Sequence, residues 1–261
     1  MKDRVGKIVY NKKLQEGIYK MELKFDDFEK VIGGQFIHIL LNSKEHILRR
    51  PFCICDFDEK NKSIIICYAV VGDGTKELSK MKAGEEVKAM FPLGNGYIPK
   101  ENENKIVLLG GGMGSAVLPA IARAFPEKEF ISYLGFANKD KVVLEEEMNN
   151  LCSYVKVSTD DGSYKESGFI TNILKQDLET LNPDAIVVCG PEIMYKVIKK
   201  TFADTNIPIY VSLEQRMGCG IGACLVCNCK IQRDGKQEYL RVCKDGPVFN
   251  LSEVVLWKIP K

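Results

Sequence analysis

The stretch Arg216-Met217-Gly218-Cys219-Gly220-Ile221-Gly222-Ala223-Cys224-Leu225-Val226-Cys227 constrains this chain more than any other. Three cysteines spaced C-x4-C-x2-C, with others beyond, match the ligand spacing of a [2Fe-2S] cluster. Four thiolates must converge from a backbone that wraps around such a cluster. Gly218, Gly220 and Gly222 suit that task, because they tolerate positive φ and let backbone N–H groups come close to sulfur. Zinc is the rival occupant, since it also takes four cysteines, but structural zinc usually shows two short C-x2-C knuckles. Buried thiols without a ligand are the third reading. Cys229 and Cys243 compete for the fourth position. The run Cys227–Arg233, then Asp234-Gly235, then Lys236–Cys243 has the pattern of a hairpin on a two-residue type I′ turn. Counting outward pairs Arg233 with Lys236 and Cys227 with Val242, which returns Cys243 beside Cys227 while Cys229 sits further up the strand. The expected metal ligands are therefore Cys219, Cys224, Cys227 and Cys243.

Length allows two domains and a small module in 261 residues. Net charge is +2 with both signs interspersed, so no basic stripe points to nucleic acid. The longest apolar runs are too short to span a bilayer. Met1-Lys2-Asp3-Arg4 lacks the apolar core of a signal peptide, and ten cysteines then suggest metal ligands in a reducing compartment rather than disulfides. A cytoplasmic protein without membrane contact is the expectation.

Residues 1–100 are β-rich. Lys7–Tyr10, Ile18–Phe25, Gln35–Leu41, Ser63–Val71 and Glu86–Phe91 are short β-branched and aromatic runs separated by Gly33-Gly34, Asp58–Lys62 and Ala83-Gly84. That spacing predicts a small antiparallel barrel or sandwich. Arg49-Arg50-Pro51-Phe52-Cys53 follows a strand, where an arginine fixed beside proline can grip a phosphate; an Arg-Pro pair in a loop is also commonly structural. Gly72-Asp73-Gly74-Thr75 opens a short helical pattern, and glycine and threonine at a helix start suit an anion or serve as an ordinary N-cap. Two such features upstream of a redox cluster favour a diphosphate-bearing cofactor.

The character changes at the polar linker Glu101-Asn102-Glu103-Asn104. Strand Lys105–Leu109, the loop Gly110-Gly111-Gly112-Met113-Gly114 and helix Ser115–Phe125 open a nucleotide-binding βα unit, although Ser115 stands where a strict G-x-G-x-x-G has its last glycine. Strands Glu129–Gly135, Tyr154–Ser158, Ala185–Cys189 and Ile207–Ser212 alternate with helices Lys141–Leu151, Phe169–Lys175 and Glu192–Phe202. This predicts a doubly wound parallel sheet with its ligand at the carboxyl ends of the strands, where Cys189 and Gly190 also stand. No acidic residue clearly ends the second strand of this unit. There is no Ser-His-Asp set; of the two histidines, His38 lies in an apolar strand as a core residue and His46 in a polar loop. No residue is expected to act as a general base on a substrate carbon.

Arg50-Pro51-Phe52-Cys53 with Gly74-Thr75, then Gly110–Gly114 with Cys189-Gly190-Pro191, resemble the ferredoxin–NADP reductase superfamily, which pairs an FAD-binding β-barrel with a nucleotide-binding α/β domain. Tyr210–Cys224, ending in Cys243-Lys244-Asp245-Gly246-Pro247-Val248-Phe249, closely resembles the electron-transfer subunits of NAD-dependent (class 1B) dihydroorotate dehydrogenases. The resemblance covers essentially the whole chain. It implies an FAD barrel at 1–100, an NAD-binding α/β domain at 101–212 and a [2Fe-2S] module at 213–261. It implies that Arg50 neutralises the FAD diphosphate, with Pro51, Phe52 and Cys53 along the flavin edge, Cys67, Tyr68 and Ala69 beside the cofactor, and Gly74 and Thr75 capping the diphosphate. Gly110, Gly111, Gly112 and Gly114, with Cys189 and Gly190, would border NAD. Cys53 stands where Ser or Thr is common, Ala69 where Arg is common, and Gly114-Ser115-Ala116-Val117 replaces a glycine–proline continuation.

The implied activity is electron transfer in pyrimidine (UMP) biosynthesis, from a dihydroorotate-oxidising partner subunit with FMN, through [2Fe-2S] and FAD, to NAD+. The implied assembly is a heterotetramer with two of each subunit. Three alternatives stand beside it: the NAD(P)H-facing subunit of a sulfhydrogenase or ferredoxin-linked transhydrogenase, a stand-alone NADH-acceptor reductase, and a zinc-stabilised nucleotide sensor.

Overall fold

The computed structural model describes residues 3–41 and 47–256. His46, assigned above to a polar loop, lies outside them. The N-terminal third holds β1 (Arg4–Gln15), β2 (Ile18–Phe25), β3 (Phe36–Leu40), β4 (Arg50–Cys53), β5 (Asp56–Asp58), β6 (Ser63–Ala69), the short helix α1 (Asp73–Leu78) and β7 (Glu86–Leu93). Arg50–Cys53, read from sequence as a loop after a strand, is itself a strand, because Phe36–Ile39 pairs with it in antiparallel register. Alternation builds the inner wall. Ile8, Met21, Leu23, Ile37, Ile39, Ile64 and Ile66 all point into one core at 0–1 % exposure. Each such side chain contributes about 1.5–3 kcal/mol on leaving water.

The seven strands are ordered β4-β3-β7-β1-β2-β6-β5. The two edge strands, β4 and β5, are consecutive in the chain, separated only by Ile54 and Cys55. Ile54 donates its N–H to Gln35 O at 3.0 Å on one edge, and Cys55 donates to Ile65 O at 2.7 Å on the other. Two residues cannot bridge the width of a flat seven-stranded sheet, so the sheet curls until its edges meet. The expected antiparallel barrel is present.

The second unit contains β8 (Lys105–Gly111), a 3-10 turn over Gly112–Val117, α2 (Leu118–Ala124), β9 (Glu129–Phe136), α3 (Glu145–Leu151), β10 (Tyr154–Thr159), β11 (Glu166–Ser167), α4 (Ile170–Leu181), β12 (Ala185–Cys189), α5 (Glu192–Thr201) and β13 (Ile209–Ser212). The helix expected from Ser115 thus begins as a tighter 3-10 turn, and the one expected from Lys141 begins at Glu145. Both faces of the sheet are covered. Ile106 and Leu108 of β8 pack with α2 and α3, while Val107 and Leu109 pack with α4 and α5. Such doubly covered strands read as continuous apolar runs, as Ile106–Leu109 and Ala185–Cys189 do.

The C-terminal segment forms the hairpin β14 (Asn228–Arg233) and β15 (Lys236–Arg241), one helical turn α6 (Val242–Asp245) and β16 (Val248–Asn250). The hairpin has the register counted from sequence, Arg233 opposite Lys236, and Val242 donates its N–H to Cys227 O at 2.9 Å. One feature was not legible: β16 joins the second sheet antiparallel to β13, giving the order β11-β10-β9-β8-β12-β13-β16. One apolar cluster accordingly runs from Phe36 and Leu93 of the barrel through Val107 and Val188 to Cys227, Ile231 and Phe249. Among the described residues no helix is long and apolar enough to cross a membrane.

The barrel touches the second unit closely at Gly33. A Cβ there would lie 2.4 Å from Ile121 Cα and 2.5 Å from the Ala120 carbonyl. Those are backbone atoms that cannot rotate away. Gly33→Ala is therefore expected to destabilise the protein by about 1–3 kcal/mol and to lower the melting temperature by several degrees in a thermal melt. An unchanged melt would mean that the barrel does not press on α2 in this way.

Candidate electron-transfer site

The loop between β13 and β14 carries Cys219, Cys224 and Cys227, and α6 carries Cys243. The sulfurs are met by backbone donors. Cys219 Sγ accepts from the N–H groups of Ala223 at 3.3 Å, Cys224 at 3.4 Å and Ile221 at 3.5 Å. Cys224 Sγ accepts from Cys219 N at 3.4 Å. Cys227 Sγ accepts from Cys243 N at 3.4 Å, and Cys243 Sγ accepts from Gly222 N at 3.1 Å. The four thiols thus fall into two linked pairs, joined by Gly222. Among the described residues no three His, Cys, Asp or Glu side chains gather on a single-ion site. Cys219 and Cys224 lie towards solvent, and Cys227 and Cys243 are buried. Cys229 is also buried, but it stands opposite Leu240 within the hairpin and packs into the apolar core.

Left-handed turns make this wrapping possible. Gly220 has φ +72° and Gly222 has φ +82°. A Cβ on Gly220 would lie 2.4 Å from His38 Nδ1, and one on Gly222 would lie 2.7 Å from Lys244 Cδ. Burial pushes the Cys219 thiol up, but the surrounding N–H donors outweigh it and bring its pKa down to about 6. Burial and the neighbouring Cys227 push Cys243 up to about 12, and burial pushes Cys229 up to about 11. Four thiols in two amide-linked pairs, with N–H groups aimed at them, fit an anionic iron–sulfur cluster, whose charge those amides would offset.

A cleft of about 350 Å³ opens between the barrel and the second unit. Arg50, Pro51, Phe52 and Cys53 form one wall from β4, and Cys67, Tyr68 and Ala69 form the next from β6. Thr75 closes one end. Its hydroxyl accepts from Val71 N at 2.9 Å and Gly72 N at 3.1 Å, and donates to Gly72 O at 2.9 Å, so it secures the start of α1. Arg50 lies across Gly74, where a Cβ would be 2.8 Å from its Nε. The Phe52 and Tyr68 rings meet at 5.6 Å, and Tyr68 donates its hydroxyl to Asn11 Oδ1 at 3.0 Å. Burial pushes the Cys53 and Cys67 thiols up to about 12, so both are neutral here.

A second cavity of about 640 Å³ lies at the carboxyl ends of the parallel strands. Gly111 at the end of β8, with Gly112 and Gly114 after it, and Gly190 after β12 line it. This is the switch point of the sheet, where the connections leaving β8 and β12 run in opposite directions, the usual ligand crevice of such folds. Gly114 is held against the backbone of Cys189, since a Cβ there would be 2.5 Å from the Cys189 carbonyl oxygen. Gly110 and Cys189 stand behind this wall. Gly110 is packed against Ser115, and Cys189 is 1 % exposed with its Sγ 4.0 Å from Ser212 O.

Two acids belong to the site that the sequence reading did not single out. Asp160 follows β10 and lines the second cavity. Burial, then Asp161, raises its carboxyl pKa. An inspection of the third strand end rather than the second would have found it. Glu214 lines both cavities, as does Met113, and the surrounding walls raise its carboxyl pKa as well. Nothing in the local sequence marks Glu214, because its place depends on three segments meeting. From there Gln215 and Met217 continue along the flavin-sized cleft, and Cys219 follows two residues later.

The chain is similar to known proteins. Residues 214–255 match the family model described as the iron-sulfur cluster binding domain of dihydroorotate dehydrogenase B, and residues 108–200 match an oxidoreductase NAD-binding domain. A protein of Clostridium acetobutylicum named dihydroorotate dehydrogenase B (NAD(+)), electron transfer subunit, is 41 % identical over 97 % of both chains. One of Bacillus pumilus with the same name is 37 % identical over 98 % of this chain and 99 % of its own. Among solved structures, one reported as an NADH-dependent reduced ferredoxin-NADP oxidoreductase matches with a TM-score of 0.83 and 29 % identity, covering 96 % of this chain and 90 % of its own. Phthalate dioxygenase reductase shares the fold at a TM-score of 0.65 and 14 % identity, over 92 % of this chain and 76 % of its own.

Gly74→Val would push Arg50 off its place across the cleft. On the expectation that Arg50 grips the cofactor's diphosphate, a charge-assisted contact of about 1.5–3 kcal/mol would be lost, and flavin retention after gel filtration, read by absorbance, is expected to fall by about tenfold or more. Retention equal to the parent would exclude Arg50 from flavin binding.

Proposed function

The chain belongs to the family of electron-transfer subunits of NAD-dependent dihydroorotate dehydrogenase B, and on that premise we propose that it carries electrons from a dihydroorotate-oxidising FMN subunit to NAD+ in pyrimidine biosynthesis, within a heterotetramer of two of each subunit. The observation that carries this reading is the shared wall. Met113 and Glu214 face both cavities, and Met217 leads from the cleft into the cysteine loop, so one short segment borders the places for all three carriers. When bound, the cluster would exchange single electrons, the flavin one or two, and NAD a hydride.

The residues of this chain bind and orient. Residues 1–100 hold FAD, 101–212 hold NAD and 213–261 hold the cluster. Arg50, Gly74 and Thr75 take the FAD diphosphate. Pro51, Phe52, Cys53, Cys67, Tyr68 and Ala69 shape the flavin wall and keep it neutral, in agreement with the high thiol pKa values of Cys53 and Cys67. Gly111, Gly112, Gly114 and Gly190 border NAD, with Gly110 and Cys189 supporting them from behind. Asp160 accepts a ribose hydroxyl. Cys219, Cys224, Cys227 and Cys243 ligate the iron, and the N–H groups around them steady their negative charge.

A second reading has one observation in its favour: the 29 % identical structure of a ferredoxin-linked oxidoreductase covers 96 % of this chain. The 41 % identity to the dihydroorotate relative favours the first. Anaerobic purification of the native protein separates them. A co-purifying FMN subunit that converts dihydroorotate to orotate with NAD+ supports the first reading, and a ferredoxin-linked partner replaces it with the second.

Two substitutions test the residues. Cys219→Ala is expected to retain FAD and NADH-driven flavin reduction, to lose the [2Fe-2S] signal in electron paramagnetic resonance, and to abolish dihydroorotate-linked NAD+ reduction. Full coupled activity in that variant would remove Cys219 from the path. Asp160→Ala is expected to raise KM for NAD+ about tenfold, the loss of one charge-assisted hydrogen bond, with little change in kcat. A kcat loss at constant KM would show that Asp160 serves something other than nucleotide binding.

A further inference from the structure

His38, expected as a packed core residue, is buried, but on the outer side of the barrel wall. Its neighbours Ile37 and Ile39 point into the barrel, so alternation turns His38 outward. It is nevertheless 0 % exposed, because the cysteine loop lies over it. Gly220 presses its Cα against the ring, with the position of a Cβ falling 2.4 Å from Nδ1 and 3.1 Å from Cε1. On the same strand face His38 stands opposite Pro51, which lines the flavin-sized cleft. The imidazole is thus a solid link between the flavin strand and the loop of Cys219.

Its polar atoms have no ordinary partner. Among the described residues neither Nδ1 nor Nε2 makes a hydrogen bond. Burial, then the Arg49 guanidinium, pushes the His38 pKa down to about 4, while the backbones of Arg49 and Cys219 pull it the other way, as carbonyl acceptors do. A buried ring nitrogen left unpaired is costly, and a buried orphan polar group calls for an explanation such as a partner that closes in with the bound group.

We infer that His38 is a positioning residue for the cluster: with the cluster bound, its Nδ1–H, unpaired here beside Gly220, closes onto the Cys219 carbonyl and so keeps the Cys219–Cys224 loop in the shape that aims its amides at Cys219 Sγ. This rests on the proposed cluster site and deepens it. Three of the amides aimed at sulfur converge on Cys219. Loosening the turn at Gly220 would lengthen them together. Amide donors favour the more negative, reduced cluster, so their loss makes reduction harder.

The test uses the complete FAD-loaded complex, prepared anaerobically, with His38→Phe, His38→Asn and His38→Gln. Phenylalanine fills the space without a donor. Asparagine places its amide near the position of Nδ1, and glutamine near that of Nε2. The readouts are the potential and the electron paramagnetic resonance spectrum of the cluster, with FAD content as control. In His38→Phe the fraction of reduced cluster at a fixed potential is expected to fall about tenfold, a shift of about 59 mV for one electron, with FAD content unchanged. His38→Asn is expected to restore the parent potential and spectrum, and His38→Gln is not. The inference is overturned if His38→Phe keeps the parent potential and spectrum, or if glutamine restores them and asparagine does not. Should His38→Phe fail to fold, the difference between the asparagine and glutamine variants alone decides. A parent complex with no [2Fe-2S] signal would instead overturn the cluster assignment on which this rests.

Discussion

The short ladder between Tyr210–Ser212 and Val248–Asn250 fixes most of what matters in this protein. It returns the C-terminal segment to the second sheet after the excursion through the cysteine loop and the hairpin. Both ends of that excursion are then tied down, at Leu213, whose N–H meets the Pro247 carbonyl at 2.9 Å, and at Asn95 of the barrel, whose N–H meets the Gly246 carbonyl at 2.7 Å. A loop of this length without regular structure would otherwise carry a large entropic freedom. Pinned at its ends and covered by the barrel, it presents its cysteines beside the flavin-sized cleft.

Electrostatics then divides the site. The cleft walls hold thiols that burial keeps protonated, Cys53 and Cys67. A few residues away Cys219 is drawn towards the thiolate form by the amides around it. The same side chain thus stays a small neutral hydrophobe in one place and moves towards the thiolate in the other, where burial is shallower and N–H donors converge. The two acids, Asp160 and Glu214, stand at the walls of the cavities, where a bound nucleotide or flavin would take them further from water.

Close approach explains the glycines that count. Gly33, Gly74, Gly114 and Gly220 each have another group where a side chain would stand: a helix backbone, an arginine, a strand-end carbonyl and an imidazole. Each contact joins two different units or two ends of one site. These positions define how the barrel, the sheet and the loop fit, so single added methyl groups reach the chemistry without touching a ligand.

The sequence by itself determined the elements whose signals are local. Alternation gave the barrel strands, continuous apolar runs gave the parallel sheet, and C-x4-C-x2-C with the Asp234-Gly235 turn gave the cysteine set and its register. Local spacing suffices there, because backbone period and turn geometry act over a few residues. Only the tertiary structure decided what depends on distant segments meeting. It made Arg50–Cys53 a strand by pairing it with Phe36–Ile39. It added β16 to the sheet, put Gly110 and Cys189 behind the wall they were expected to line, and brought Asp160 and Glu214 to the cavities. It also placed the buried His38 beneath the cysteine loop rather than inside the barrel. Burial and proximity of this kind are properties of the packed whole, and no window of neighbouring residues contains them.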